Sequence, residues 1–166
     1  MTQGASQKRR RGAPRVSVIG IGNVLARDEG IGPKTVEALL QHDLPENIRI
    51  VNLGGAGISL LDYFEDSDAV IIVDCAMMGL EPGAIRVFGP SEVKSRRGHE
   101  ADLSLHSGDV LGLIELGSRV GPVPPIRIVG VQPQVVDSGM GLSSTLERRL
   151  PDVVQAVLAE IERICG

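Results

Sequence analysis

Short, almost wholly apolar runs recur along the chain, separated by stretches with helical spacing. Val16 to Gly20 (VSVIG), Ile48 to Asn52 (IRIVN), Ala69 to Val73 (AVIIV), Ala84 to Phe88 (AIRVF) and Ile126 to Val131 (IRIVGV) each have strand length and are bounded by turn-forming residues. The run at 69–73 has no polar position at all and belongs in the middle of a sheet. Helices are expected over Thr35 to Gln41 (Pro33 suiting a first turn), Ile58 to Phe64, Ser107 to Leu116 and Ser143 to Cys165. In the last of these Leu146, Val153, Val157, Leu158, Ile161 and Ile164 form one apolar face. Residues 91–103 are polar and read as a loop. Strands alternating with helices predict a three-layer α/β/α domain around a five-stranded, mostly parallel sheet. The strand at 84–88 follows its predecessor after only a short Gly/Pro turn, too short for a parallel crossover, and is expected to be the one antiparallel strand.

A chain of 166 residues forms one domain large enough for a substantial core, here residues 15–166. Its aromatic content of 2% leaves that core to Val, Ile, Leu and Ala and removes the stacking platforms that single-stranded nucleic acids need. A net charge of -4 argues against a nucleic-acid partner in general. Residues 1–14 carry a basic run, Lys8 to Arg11, without an apolar stretch behind it, and read as a disordered tail rather than a signal peptide. The longest apolar runs fall far short of a membrane span. The two cysteines, Cys75 and Cys165, fit no metal or disulfide spacing, so a reducing cytoplasm is the expected compartment. A monomer is expected, since no long exposed apolar pattern calls for a partner copy.

Candidate chemistry gathers where strands end. In open α/β sheets ligands bind beyond the carboxyl ends of the strands. Glu29, in GIGNVLARDEGIG, follows the first strand, and Asp74 directly follows the third. His106, in SLHSGD, stands between the fourth and fifth strands, before a helix. Two carboxylates and one imidazole form a mixed oxygen and nitrogen set suited to a divalent transition metal such as nickel or zinc, with positions left open. Taken singly, each residue has a plainer explanation. Asp28 and Glu29 suit the first turn of a helix, and a lone histidine is commonly a packing residue. A carboxylate closing a buried central strand is harder to dismiss, because it needs a partner or a task. His42, at a helix end, and His99, in a polar loop, are expected to be solvated. Cys75 reads as a small core residue. The Gly20-Ile21-Gly22 segment resembles the start of a dinucleotide fingerprint, but Leu25 stands where its third glycine belongs, so a tight backbone approach explains these glycines better.

These segments, in this order, resemble the maturation endopeptidases of nickel–iron hydrogenases. The family's GxGN, leucine and D-[DE]-G-x-G opening stands here as Gly20 to Gly32. Its central strand with D-A-x-x-x-G and a P-G turn stands as Val73 to Gly83, with Cys75 in place of a common alanine. Its pre-helical histidine matches His106, and its G-x-Q-P with a later G-L-S matches Gly130 to Pro133 and Gly141 to Ser143. Where many members carry Asp-Gly-Gly-Thr, this chain has Asn52-Leu53-Gly54-Gly55-Ala56-Gly57. The resemblance implies a metal-dependent endopeptidase that removes the C-terminal extension of a hydrogenase large-subunit precursor after nickel insertion. It carries the metal-binding and catalytic roles onto Glu29, Asp74 and His106. It further implies that nickel arrives in the nickel-loaded precursor rather than residing permanently in the enzyme. A nucleotide-binding domain and a non-catalytic, metal-checking chaperone are the competing expectations.

Overall fold

A computed structural model describes residues 12–55, 57–92, 104–105 and 110–166. The expected tail at residues 1–11, His99 and His106 lie outside the described residues.

The elements follow in the order β1 (Val16–Ile21), a 3-10 turn (Arg27–Gly30), α1 (Ile31–Leu39), β2 (Ile48–Gly54), α2 (Leu60–Asp66), β3 (Ala69–Met77), β4 (Ile85–Phe88), β5 (Ser104–Leu105), α3 (Val110–Val120), β6 (Ile126–Val131) and α4 (Ser144–Cys165). Five strands form the sheet in the order β2-β1-β3-β6-β4, with β3 at its centre as the apolar run predicts. β1, β2, β3 and β6 are parallel, and β4 pairs antiparallel with β6 at the edge, so the three-layer architecture and its single antiparallel edge agree with the sequence. The two-residue β5, which the apolar pattern does not reveal, adds antiparallel to the far end of β3, with Leu105 opposite Ala76 and Ser104 opposite Met77.

Alternation along the strands divides the core in two. Val16, Val18, Ile71, Val73 and Cys75 face one side, where α1 and α4 cover them with Val36, Leu39, Leu146, Val153 and Val157. Ile19, Ile21, Val70, Ile72 and Ile128 face the other, under Leu60 and Phe64 of α2 and Val110, Leu111 and Ile114 of α3. Each such side chain contributes roughly 1.5–3 kcal/mol by leaving water. This burial fixes the strand register, because a slip of one residue would turn every inward side chain outward.

Several boundaries differ from the sequence expectation. α1 starts at Ile31 rather than Thr35, taking Gly32 and Pro33 into its first turn. α2 and α3 run two and four residues further than expected at their C-terminal ends, to Asp66 and Val120. β3 continues past Val73 to Met77, which places Asp74 inside the strand rather than at its close. Among the described residues no helix is long and apolar enough to cross a membrane.

Candidate active site

The parallel strands diverge between β1 and β3. From β1 the chain passes to α1 on one face and joins β2 on one side, whereas β3 lies on the other side of β1. Such a reversal of strand order opens a crevice at the carboxyl ends. The β1–β3 ladder ends with Gly20 opposite Val73, so Asp74 is the first residue of β3 beyond β1.

The glycines flanking this point bring backbones together. A Cβ on Gly20 would lie 2.5 Å from the Gly32 carbonyl oxygen, and one on Gly32 would lie 2.5 Å from the carbonyl oxygen of Val73 and collide with that of Ile21. Gly22 has φ +148° and meets the Glu29 carbonyl, a conformation and a proximity that a side chain could not share. These contacts account for the glycines as points of tight backbone approach, the reading the sequence favours over a dinucleotide fingerprint. The same contacts seat the 3-10 turn, and Glu29 with it, next to the end of β3.

The pair Asp28 and Glu29 does not cap α1. The N-cap is Gly30, with no side-chain cap. Instead Asp28 turns inward, fully buried. Its Oδ2 accepts hydrogen bonds from the Gln134 and Val135 amides and the Ser143 hydroxyl, each at 2.9 Å, and its Oδ1 accepts one from the Ser143 amide at 2.7 Å. Four donors compensate a buried carboxylate that would otherwise be costly. Ser143 also caps α4, accepting from the Leu146 amide at 3.3 Å. One carboxylate thus ties the β1–α1 turn to the β6–α4 loop and to the start of the last helix.

Glu29 is half-buried, while Asp74 is fully buried. Both act on one neighbour. Burial first, and then the negative charges of Asp74, Glu29 and Asp28, push the Cys75 thiol far up from its ordinary range. Glu29 and Asp74 therefore lie within electrostatic reach of the same sulfur and of each other's surroundings. Cys75 itself is a free, buried core residue, as the sequence leads one to expect. His106 lies outside the described residues, but Leu105 pairs with Ala76, two residues beyond Asp74. Among the described residues no three His, Cys, Asp or Glu side chains are placed to hold a metal.

Sequence reasoning missed two residues that shape this rim. Asp28 was passed over in favour of its neighbour Glu29. Gln132 appeared only as part of a G-x-Q-P string, yet its side-chain oxygen accepts from the amides of Met78 at 2.7 Å and Leu80 at 3.4 Å. Its backbone bonds to Gly83 and Ala84 hold the same loop from the other side. The signal was a buried polar residue directly after an apolar strand, the same signal that singled out Asp74.

Known proteins similar to this chain include hydrogenase maturation proteases. The hydrogenase maturation protease family model (HycI) matches residues 33–160. The hydrogenase 2 maturation protease of Escherichia coli K12 is 33% identical over 153 residues, covering 89% of this chain and 90% of its own. The hydrogenase expression/formation protein HupD of Rhizobium leguminosarum bv. viciae is 31% identical over 149 residues, covering 88% and 73%. The structure of the hydrogenase maturating endopeptidase HybD from E. coli superposes with a TM-score of 0.77 at 31% identity, covering 90% of this chain and 93% of that one. With strand order, rim glycines and these matches in agreement, the chain belongs to the hydrogenase maturation proteases and is a peptidase.

Proposed function

We propose that this peptidase removes the C-terminal extension of a nickel–iron hydrogenase large-subunit precursor, and that Glu29, Asp74 and His106 contact the nickel the precursor carries. The observation that carries the proposal is the close backbone approach at the switch point of the sheet, where Cβ atoms on Gly22 and Gly32 would meet the carbonyls of Glu29 and Val73, which seats the Glu29 turn against the strand that bears Asp74. Carboxylates gathered in a partly desolvated crevice repel one another, and a divalent cation is the natural counter-charge. The donor types fit nickel: oxygen from two carboxylates and nitrogen from an imidazole. The pairing of Leu105 with Ala76 supports the inclusion of His106, because it carries the preceding residue to the strand that bears Asp74.

The unequal burial of the two acids gives them different tasks. Asp74, inside a hydrogen-bonded strand and opposite Gly130, has no freedom to move and suits a fixed ligand. Glu29, half-buried on a turn, is reachable by a substrate segment and can take or return a proton at its carboxylate. A bound metal contributes Lewis acidity toward the scissile carbonyl or an attacking water. Since Cys75 is held as a thiol, hydrolysis proceeds without a cysteine acyl-enzyme. The compartment consistent with this task is the cytoplasm, and the working unit is a monomer.

The test is processing of purified nickel-loaded precursor by Glu29→Ala, Asp74→Ala and His106→Ala. Each variant is expected to lose on the order of a hundredfold or more in rate, the scale for loss of a metal ligand or catalytic carboxylate. Cleavage at the unmodified rate by all three would reject the assignment.

A further inference from the structure

Beside Glu29 the rim is apolar and exposed. Leu25 is 59% exposed and Met140 75%, with Val24 and Val136 also in the open. These residues belong to two loops far apart in sequence that run side by side. Ala26 bridges to Gly139, the Arg27 amide donates to the Gly139 carbonyl at 3.0 Å, and the Gly139 amide donates to the Leu25 carbonyl at 2.9 Å. Arg27 also reaches the Met140 carbonyl at 3.4 Å and lays its aliphatic stem on Gly139, where a Cβ would come within 2.9 Å of it.

This ledge is held rigidly and at a cost. Arg27 adopts φ +50°, as a non-glycine residue seldom does, and Gly139 and Gly141 lie at φ +152° and +85°. The buried Asp28 network anchors both loops directly beneath it. Solvated loops rarely combine strained backbone, buried carboxylate anchoring and large exposed apolar tips. A preformed binding surface does, since order prepaid in the free protein is not charged again on association. Four exposed apolar side chains on two hydrogen-bonded loops, with the exposed polar Asp137 and Ser138 at their margin, differ from apolar residues scattered singly.

We infer that the ledge of Leu25 and Met140, flanked by Val24 and Val136, docks an apolar segment of the protein substrate beside the scissile bond. This rests on the proposed function. The occupant is the precursor rather than a second copy, because the ledge continues into the turn that carries Glu29. A second copy seated there would cover the crevice an endopeptidase must leave open. An apolar ledge also lets a protease select its target through surface beyond the bond it cuts, using side chains that do no chemistry.

The experiment compares the wild-type chain with the double variant Leu25→Asp/Met140→Asp on purified nickel-loaded precursor, with Glu29→Ala as the control impaired in chemistry. The expected result is a KM raised on the order of tenfold or more. The turnover number at saturation should stay within about twofold and the melting temperature should be unchanged. Glu29→Ala, which removes a proposed nickel contact as well as a carboxylate, should lose turnover even at saturating precursor, which the double variant should not. An unchanged KM in the double variant, with wild-type cleavage intact, overturns the ledge and leaves the proposed function standing. Failure of the wild-type chain itself to bind or cleave the precursor overturns both. A wild-type dimer in light scattering that the double substitution dissociates, with KM unchanged, assigns the ledge to a second copy instead.

Discussion

Cys75 is the position where burial and charge have the clearest energetic consequence. Its thiol is buried among Val73, Val129 and Val131 and faces the negative charges of Asp74, Glu29 and Asp28, so its folded pKa is raised. In the unfolded chain a thiol titrates near 8.5. Below that value both states hold the proton and pH does not distinguish them. Above it the unfolded chain releases a proton that the folded one keeps, so the stability present at neutral pH falls by up to about 1.4 kcal/mol per pH unit. Denaturant titrations between pH 8 and 10 should show this slope, and Cys75→Ala should flatten it. A slope identical in the variant would show that other groups cause it. The same site shows what local pattern can and cannot reveal. Asp74 is legible because it directly follows the apolar run at 69–73, and Glu29 because it closes the acidic turn that follows the first strand. Asp28 was not, because its partners lie 106 to 115 residues away and are mostly backbone amides, which leave no mark on composition or spacing.

The 3-10 turn and α1 depend on contact with β1 and β3 more than on helix propensity. Glycines at positions 30 and 32 are poor helix formers and the apolar spacing is legible only from Thr35, so the sequence places the helix there. Packing reverses that preference, because only glycine at position 32 lets the helix backbone approach the ends of both strands. Gly32→Ala would drive a methyl group into the carbonyls of Ile21 and Val73, with backbone on both sides and no flexible side chain able to yield. A loss on the order of 3 kcal/mol or more in chemical denaturation is expected, together with displacement of Glu29 and reduced processing. Gly121→Ala, where nothing lies within 4 Å, is the control and should be close to neutral. Equal stability of the two variants would show that α1 is not clamped as described. β5 escaped the sequence pattern for a related reason: two residues carry no period, and they pair only because β3 extends beyond β1.

At the level of the whole molecule, the proposed function has the sheet supply one half of a coordination set and the substrate bring the other. Strand count, the central place of β3 and the antiparallel edge were readable from apolar run length and turn length alone. The strand order was not, since it is decided by which side of β1 each crossover takes. That order puts Glu29 and Asp74 on a common rim, and under the proposed function the enzyme's affinity for its substrate would depend on what the substrate carries. If nickel is cargo, the free enzyme needs no metal of its own, and nickel raises affinity only by the contacts it makes across the interface. Enzyme treated with chelator and then desalted should therefore process nickel-loaded precursor at the untreated rate. Nickel-free precursor should be cleaved at least about a hundredfold less efficiently, equivalent to about 2.8 kcal/mol of nickel-dependent recognition. Replacing Glu29 or Asp74 with Ala should shrink that discrimination toward unity, because the lost ligand removes the nickel-dependent contact while the apolar ledge still binds. Loss of activity on chelation, restored by adding nickel back to the enzyme alone, would instead identify a resident metal and remove the basis for substrate-borne recognition.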